Sequence, residues 1–176
     1  MLSWILIIIG SIGLDQLTKW LAVIFLEGEA DLLLWEDVLH FSFVRNRGAA
    51  FGMLQDQRWL FMVVSTIAIG ALLVYLIRWK PKSPWVRVSI AMIIGGGIGN
   101  MIDRVLLGYV IDFIYVKLID FPVFNVADCF VTVGSGILIT YLICDVVREI
   151  KQERRLRREE AELEAAEEKQ NDGRED

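Results

Sequence analysis

Four stretches of this chain, at about 2–26, 59–77, 88–107 and 130–147, are long and apolar enough to cross a hydrocarbon core of roughly 30 Å, which takes about 20 helical residues. Lipid offers backbone amides no partners, so such stretches must be helices that bond internally. Composition agrees: 55% of the residues are hydrophobic, too many for a soluble domain with a charged surface. Trp4, Trp59, Trp79, Trp85 and Tyr109 fall near the ends of these stretches, where amphipathic rings prefer the headgroup layer. The first stretch lacks a basic leader and carries Asp15 and Lys19, so it reads as a retained helix rather than a cleaved signal.

Orientation follows from short basic connections. Arg78, Lys80, Lys82 and Arg87 lie between the second and third spans without an acidic residue among them, and Arg148, Lys151, Arg154, Arg155, Arg157 and Arg158 follow the fourth. Both termini are therefore expected in the cytoplasm, with residues 27–58 and 109–129 outside. Phe41 and Phe43 alternate with polar neighbours, and 113–118 is rich in aromatic and branched residues, so both outer connections are expected to hold short strands of a small sheet. The division expected is a membrane domain over 1–148 and a charged tail over 149–176, a frayed, solvated helix that switches from basic to acidic near Glu159.

The net charge of −5 shows no basic patch for nucleic acid. Cys129 and Cys144 would be about 22 Å apart along one helix, too far to bridge. His40 has no second histidine or cysteine nearby and reads as a loop or interfacial residue, so neither a metal nor a cofactor is expected.

Charges inside a span cost about 2.5–3.5 kcal/mol each at the centre, so each needs a partner or a task. Asp15 and Lys19 stand at i and i+4, placed to pair on one helix face. In the third span, glycines at 95, 96, 97 and 99 permit close helix approach, and Asn100, Asp103 and Arg104 share a face that points into the bundle. Asp103 reads as ion-paired rather than catalytic.

Asp112 sits among apolar neighbours in Val110-Ile111-Asp112-Phe113, and Asp128 opens the fourth span in Asn125-Val126-Ala127-Asp128. Each alone could be innocent, Asp112 as a loop residue and Asp128 as a carboxylate favoured by the helix dipole. Both nevertheless map to the outer ends of adjacent spans, near Phe113, Phe121, Phe124 and Phe130. Two carboxyls meeting in a low-dielectric site cannot both ionise, which leaves one acid and one base, the pair that water-mediated peptide hydrolysis requires. A serine nucleophile would need a base that the sequence does not place nearby; an intramembrane proton relay would spread its ionisable groups over the full depth, whereas these gather in the outer half. A structural factor would tolerate neutral residues at both aspartates.

Five ordered segments resemble the conserved blocks of bacterial lipoprotein signal peptidase (signal peptidase II): Asp15-Gln16-Leu17-Thr18-Lys19, Asn46-Arg47-Gly48-Ala49-Ala50-Phe51-Gly52, Gly99-Asn100-Met101-Ile102-Asp103-Arg104, Val110-Ile111-Asp112-Phe113 and Phe124-Asn125-Val126-Ala127-Asp128. The resemblance implies a mainly α four-transmembrane-helix bundle with a small extracytoplasmic β-rich cradle and a short, mobile periplasmic helix. It further implies a monomeric aspartic endopeptidase of the bacterial inner membrane, needing no cofactor. Its partners would be membrane lipids and lipidated prolipoproteins, cut just before the diacylglyceryl-modified cysteine near the outer leaflet. By the same resemblance Asp112 and Asp128 are the catalytic dyad. Asn46, Gly48, Asn100, Arg104 and Asn125 would position substrate or support the dyad, while Asp15, Lys19 and Asp103 would support structure or activity.

Overall fold

The computed structural model describes residues 2–48 and 58–172. In chain order come α1 (Leu2–Leu26), β1 (Leu32–Trp35), β2 (Leu39–Asn46), α2 (Arg58–Arg78), α3 (Pro84–Leu106), β3 (Val110–Tyr115), a 3-10 turn (Lys117–Ile119) and α4 (Val126–Asp172). All four helices carry windows long and apolar enough to cross a membrane. The protein is thus a mainly helical multi-pass membrane protein with a three-stranded sheet. Its residues fall into two compact units that divide between Leu138 and Ile139.

In the first unit, α1 is built inside out. Leu6, Ile9, Leu14, Leu17, Trp20, Ile24 and Phe25 are exposed, whereas Trp4, Ser11, Asp15, Lys19, Ala22 and Leu26 are buried. The buried set recurs every three or four residues after Ser11, so the helix turns one polar and small-residue stripe inward and its large apolar side chains to lipid. Against that stripe lies α3. A Cβ on Gly95 would come within 2.6 Å of the Ser11 Cβ, and one on Gly96 would collide with the Ala127 carbonyl oxygen at the start of α4. Gly134 of α4 in turn sits where a Cβ would be 2.7 Å from the Ser89 carbonyl of α3. Backbone meets backbone at these contacts, which fixes the helix crossings.

α3 begins at Pro84, earlier than the expected 88, because proline is preorganised for a first helical position and Ser83 precedes it as N-cap residue. It stops where the Leu107 and Gly108 amides both donate to the Asp103 carbonyl oxygen and Gly108 takes φ of +89°, a turn open to glycine. That turn feeds the chain directly into β3, so the second strand segment starts at Val110 instead of 113.

The sheet has the order β1-β2-β3, antiparallel throughout, with Val44 opposite Asp112 and Asn46 opposite Val110. Ile111 and Phe113 of β3 pack with Ala22 and Leu26 of α1 in one core cluster, supported by Phe41, Phe43 and Val126. The sheet is thereby seated on the C-terminal end of α1. His40, expected in a loop or at the interface, is a buried β2 residue, edge-on to Tyr115 at 6.0 Å, and strand alternation turns it to the sheet face opposite Phe41. Among the described residues the connections between α1 and α2 and between α3 and α4 contain one short helical turn, Lys117–Ile119; residues 49–57 lie outside the described part.

The second unit is the remainder of α4, from Ile139. The tail, expected as a frayed, solvated helix, is helical to Asp172, with i,i+4 pairs Arg157–Glu153 at 2.6 Å and Arg155–Glu159 at 2.9 Å. Its residues are mostly strong helix formers, and no glycine or proline interrupts it before Gly173.

Candidate active site

α4 starts on a reciprocal cap. Asn125 Oδ1 accepts the Asp128 amide at 3.0 Å, and Asp128 Oδ2 accepts the Asn125 amide at 3.1 Å. This capping box satisfies two amides that the helix cannot. It also fixes the Asp128 carboxyl in direction, leaving Oδ1 to accept from Asn100 Nδ2 at 2.8 Å. The helix start and the acid are therefore set by one arrangement.

Asp112 arrives on β3 and is held from two sides. Asn46 Nδ2, from the end of the neighbouring strand, donates to Oδ2 at 2.7 Å, and Asn125 Nδ2 donates to Oδ1 at 2.6 Å. Asn46 is itself oriented by the Gly48 amide, which donates to its Oδ1 at 2.9 Å. Asn125 thus touches both acids, capping the helix of one with its oxygen and binding the other with its nitrogen. Burial pushes the Asp112 carboxyl up to about 6; the Asn46 hydrogen bond pulls it down and the Asp128 charge pushes it further up.

Beside these acids lies a cluster of buried charges. Lys19 Nζ is 2.9 Å from Asp15 Oδ2, 3.0 Å from Asp103 Oδ2 and 2.9 Å from Asn100 Oδ1. Asp15 Oδ1 accepts the Ala127 amide at 2.9 Å, a carboxylate placed at the N-terminal end of α4. Asp103 Oδ2 accepts the Ile111 amide at 3.1 Å, tying α3 to the strand that carries Asp112. Asp103 is ion-paired as expected, but with Lys19 across the helix crossing, while Arg104 leads elsewhere: its guanidinium lies 5.4 Å over the Phe61 ring of α2.

A cavity of about 460 Å³ opens on the acids, lined by Asn46, Gly48, Asn100, Arg104, Asp112 and Asp128, with Val110, Phe121, Pro122, Val123, Phe124, Cys129, Thr132 and Val133 forming the rest of its wall. The site residues named from the sequence thus divide into two groups. Six of them line the cavity, whereas Asp15, Lys19, Asp103 and Asn125 stand behind it as a hydrogen-bonded support. Of the motif around Asn46, residues 49–52 lie outside the described part.

Sequence reasoning missed Gln16, whose Nε2 donates to Asp103 Oδ1 at 3.0 Å and lies 3.2 Å from both Asp15 Oδ2 and the Gly99 carbonyl oxygen. An amide beside a buried aspartate in an apolar span was the available signal. It missed Phe61 as well, an aromatic residue that nothing in the α2 pattern distinguishes from lipid-facing ones.

Gly99 is required by this support. A Cβ there would stand 2.5 Å from Asp15 Oδ2 and 3.0 Å from its Cγ, and Asp15 is too firmly bonded to yield. Gly99→Ala is expected to cost about 1–3 kcal/mol by overpacking. A lowered melting temperature in detergent, with activity falling alongside, checks this; an unchanged melt would show that the helices separate freely.

The family model described as signal peptidase (SPase) II matches residues 7–144. Proteins named lipoprotein signal peptidase are 42% identical over 134 residues in Brevibacillus brevis, covering 76% of this chain and 90% of that one. They are 44% identical over 135 residues in Streptococcus thermophilus (77% and 88%), and 46% over 140 residues in Caldanaerobacter subterraneus (79% and 94%). Two solved bacterial membrane enzymes, determined by the in meso method at 2.3 and 1.9 Å resolution, superpose with TM-scores of 0.76 and 0.73. The first is 31% identical, covering 83% of this chain and 90% of its own; the second is 32% identical, covering 81% and 93%.

Proposed function

Since the chain belongs to the signal peptidase II family, whose members are membrane proteases, we propose that it cleaves prolipoproteins just before a diacylglyceryl-modified cysteine, using Asp112 and Asp128 to activate water. The observation that carries this reading is that Asp112 and Asp128 line one cavity and are tied together from behind by Asn125, whose side chain donates to the Asp112 carboxyl and accepts the Asp128 backbone amide. Four carboxyls, at 15, 103, 112 and 128, share two cations, Lys19 and Arg104, in this region, so retention of one proton relieves an excess of negative charge.

In the mechanism we read from this geometry, Asp112 holds that proton and Asp128 is ionised. Asp128 draws a proton from water as the oxygen attacks the scissile carbonyl carbon, while Asp112 hydrogen-bonds the carbonyl oxygen and gives up its proton as charge develops there. Asp128 then passes its proton to the amide nitrogen as the C–N bond breaks, and Asp112 takes a proton back from the diol, which leaves a carboxylic acid, a free amine and both acids in their starting states. Asn100 and Asn125, each donating to one acid, hold the two at fixed directions, and Arg104 at the cavity wall supplies a positive field for the developing oxyanion. The apolar wall from Phe121 to Phe124 excludes bulk water and suits a lipidated substrate.

The same reading puts 1–148 in the role of the protease, acting as a monomer, with 149–176 as its cytoplasmic extension and the site near the outer leaflet. Support comes from the basic residues between α2 and α3 and those following 147. The direct test is purified enzyme with a diacylglyceryl-modified prolipoprotein peptide, the products weighed by mass spectrometry. Cleavage of the bond immediately N-terminal to the lipidated cysteine supports the assignment. Intact lipidated peptide, or equal cleavage of the unlipidated one, overturns it.

The proton on Asp112 has a pH consequence. A carboxyl with its pKa raised to about 6 is protonated below that value and loses the proton as pH rises through it. In the free enzyme kcat/KM is therefore expected to fall about tenfold per pH unit above an apparent pKa near 6, a value that belongs to the coupled pair. Because the Asn46 hydrogen bond favours the ionised form, Asn46→Val should move this limb to higher pH. A profile flat from about pH 5 to 8, or a limb moving to lower pH in Asn46→Val, would contradict the assignment.

A further inference from the structure

Beyond the membrane-spanning part of α4, charge is sorted by depth and by face. Arg148, Lys151, Arg155 and Arg158 recur at i, i+3, i+7 and i+10 of a continuous helix, all exposed. At about 100° per residue they and Arg154 fill roughly one third of the helix circumference. Glu149 and Glu153 lie on another side, Glu153 bonded to Arg157 at 2.6 Å, and Glu159 closes the stripe by pairing with Arg155.

We propose that this stripe is a binding surface for the headgroups of anionic phospholipids. It starts where the apolar run ends at Val147 and extends for about 15 Å at 1.5 Å per residue. That distance matches a headgroup layer of roughly 5–7 Å plus a Debye length of about 8 Å at physiological salt, the zone in which a negative surface potential acts. Past that zone the sign reverses, with Glu159, Glu160, Glu162, Glu164, Glu167 and Glu168 following in close order. Positive-inside bias accounts for basic residues beside a span, but not for their gathering on one face of the helix or for the change of sign that follows. Cations lie where an anionic surface attracts them, and acids begin where its repulsion has decayed. The inference needs only that α4 crosses the bilayer and stands apart from the proteolytic reading.

The test places full-length protein in lipid nanodiscs, which expose both faces, so the result does not depend on orientation. A nitroxide on Gln152→Cys, in a Cys129→Ala/Cys144→Ala background, reports access of a water-soluble nickel chelate beside the stripe. Discs of phosphatidylcholine with about 30% phosphatidylglycerol are expected to reduce that access several-fold relative to pure phosphatidylcholine, since each basic residue near the surface adds about a fivefold preference for it. The reduction should vanish at 0.5 M salt, roughly where screening shortens to a few ångströms. It should vanish likewise in Arg148→Gln/Lys151→Gln/Arg155→Gln/Arg158→Gln; should that variant fail to insert, the salt arm decides alone. Equal access in both discs overturns the proposal. So does protection that needs two copies per disc and ignores phosphatidylglycerol, which would assign the stripe to the acidic segment of a second copy.

Discussion

Asp112→Asn and Asp128→Asn are each expected to lower the turnover of lipidated prolipoprotein by roughly 10³-fold or more, since each removes a group that general acid–base catalysis values at about 10²–10⁴ and both act on one proton. Stability should change little, because two opposing terms nearly cancel. An amide at 112 would turn an N–H towards Asn46 or Asn125, both of which donate there, and an unmade hydrogen bond of this kind costs about 1–3 kcal/mol. Against this, the substitution removes a carboxyl whose burial already disfavours its charge. At 128 the amide oxygen can still accept from the Asn125 amide, so the cap on α4 survives while the contact with Asn100 is lost. Both variants should thus melt within a few degrees of the parent. If the acids work as a pair, the double variant will lose no more than the worse single one. A single variant retaining more than a tenth of parental turnover, or a double variant whose losses multiply, would break the pairing.

How much of this was legible in the chain differs from one residue to another. Asp112 and Asp128 stood out because a carboxylate in apolar surroundings is expensive, whereas Asn125 entered only through the family resemblance and its cap on Asp128 went unread. The spans were readable from length and hydropathy alone. What could not be read was partnership across helices. Sequence spacing shows only neighbours on the same helix, so Asp103 could be seen beside Arg104 but not opposite Lys19, a contact set by the close α1–α3 approach that Gly95 and Gly99 allow. β1 was missed because Leu32, Leu33, Leu34 and Trp35 are uniformly apolar and all exposed, with no alternation to betray a strand. The tail was legible as a helix from its Glu, Arg and Ala content, although hydropathy ends at 147.

Lys19→Met tests whether the buried cluster is support for the acids or only for the fold. Lys19 is 2% exposed and its ammonium contacts two carboxylates, so deleting its charge strands Asp15 and Asp103 without compensation, a change that typically costs about 3–5 kcal/mol. A large fall in melting temperature is expected. Activity should fall beyond what the loss of folded enzyme explains, because Lys19 and Asn125 are the two donors that hold Asn100 Oδ1 and so keep Asn100 Nδ2 aimed at Asp128. Without the ammonium, Asn125 alone holds Asn100 Oδ1, and the Asn100 amide is fixed less tightly on Asp128. The two effects separate in Lys19→Met/Asp103→Asn, which removes one stranded charge: part of the stability should return, while turnover per folded molecule stays low. Lys19→Gln, which keeps a donor but not the charge, should do the reverse, melting early yet retaining more turnover per folded molecule than Lys19→Met. Full recovery of turnover in Lys19→Met/Asp103→Asn would reduce Lys19 to a counter-ion, and a parental melting temperature in Lys19→Met would show that Asp15 and Asp103 do not depend on it.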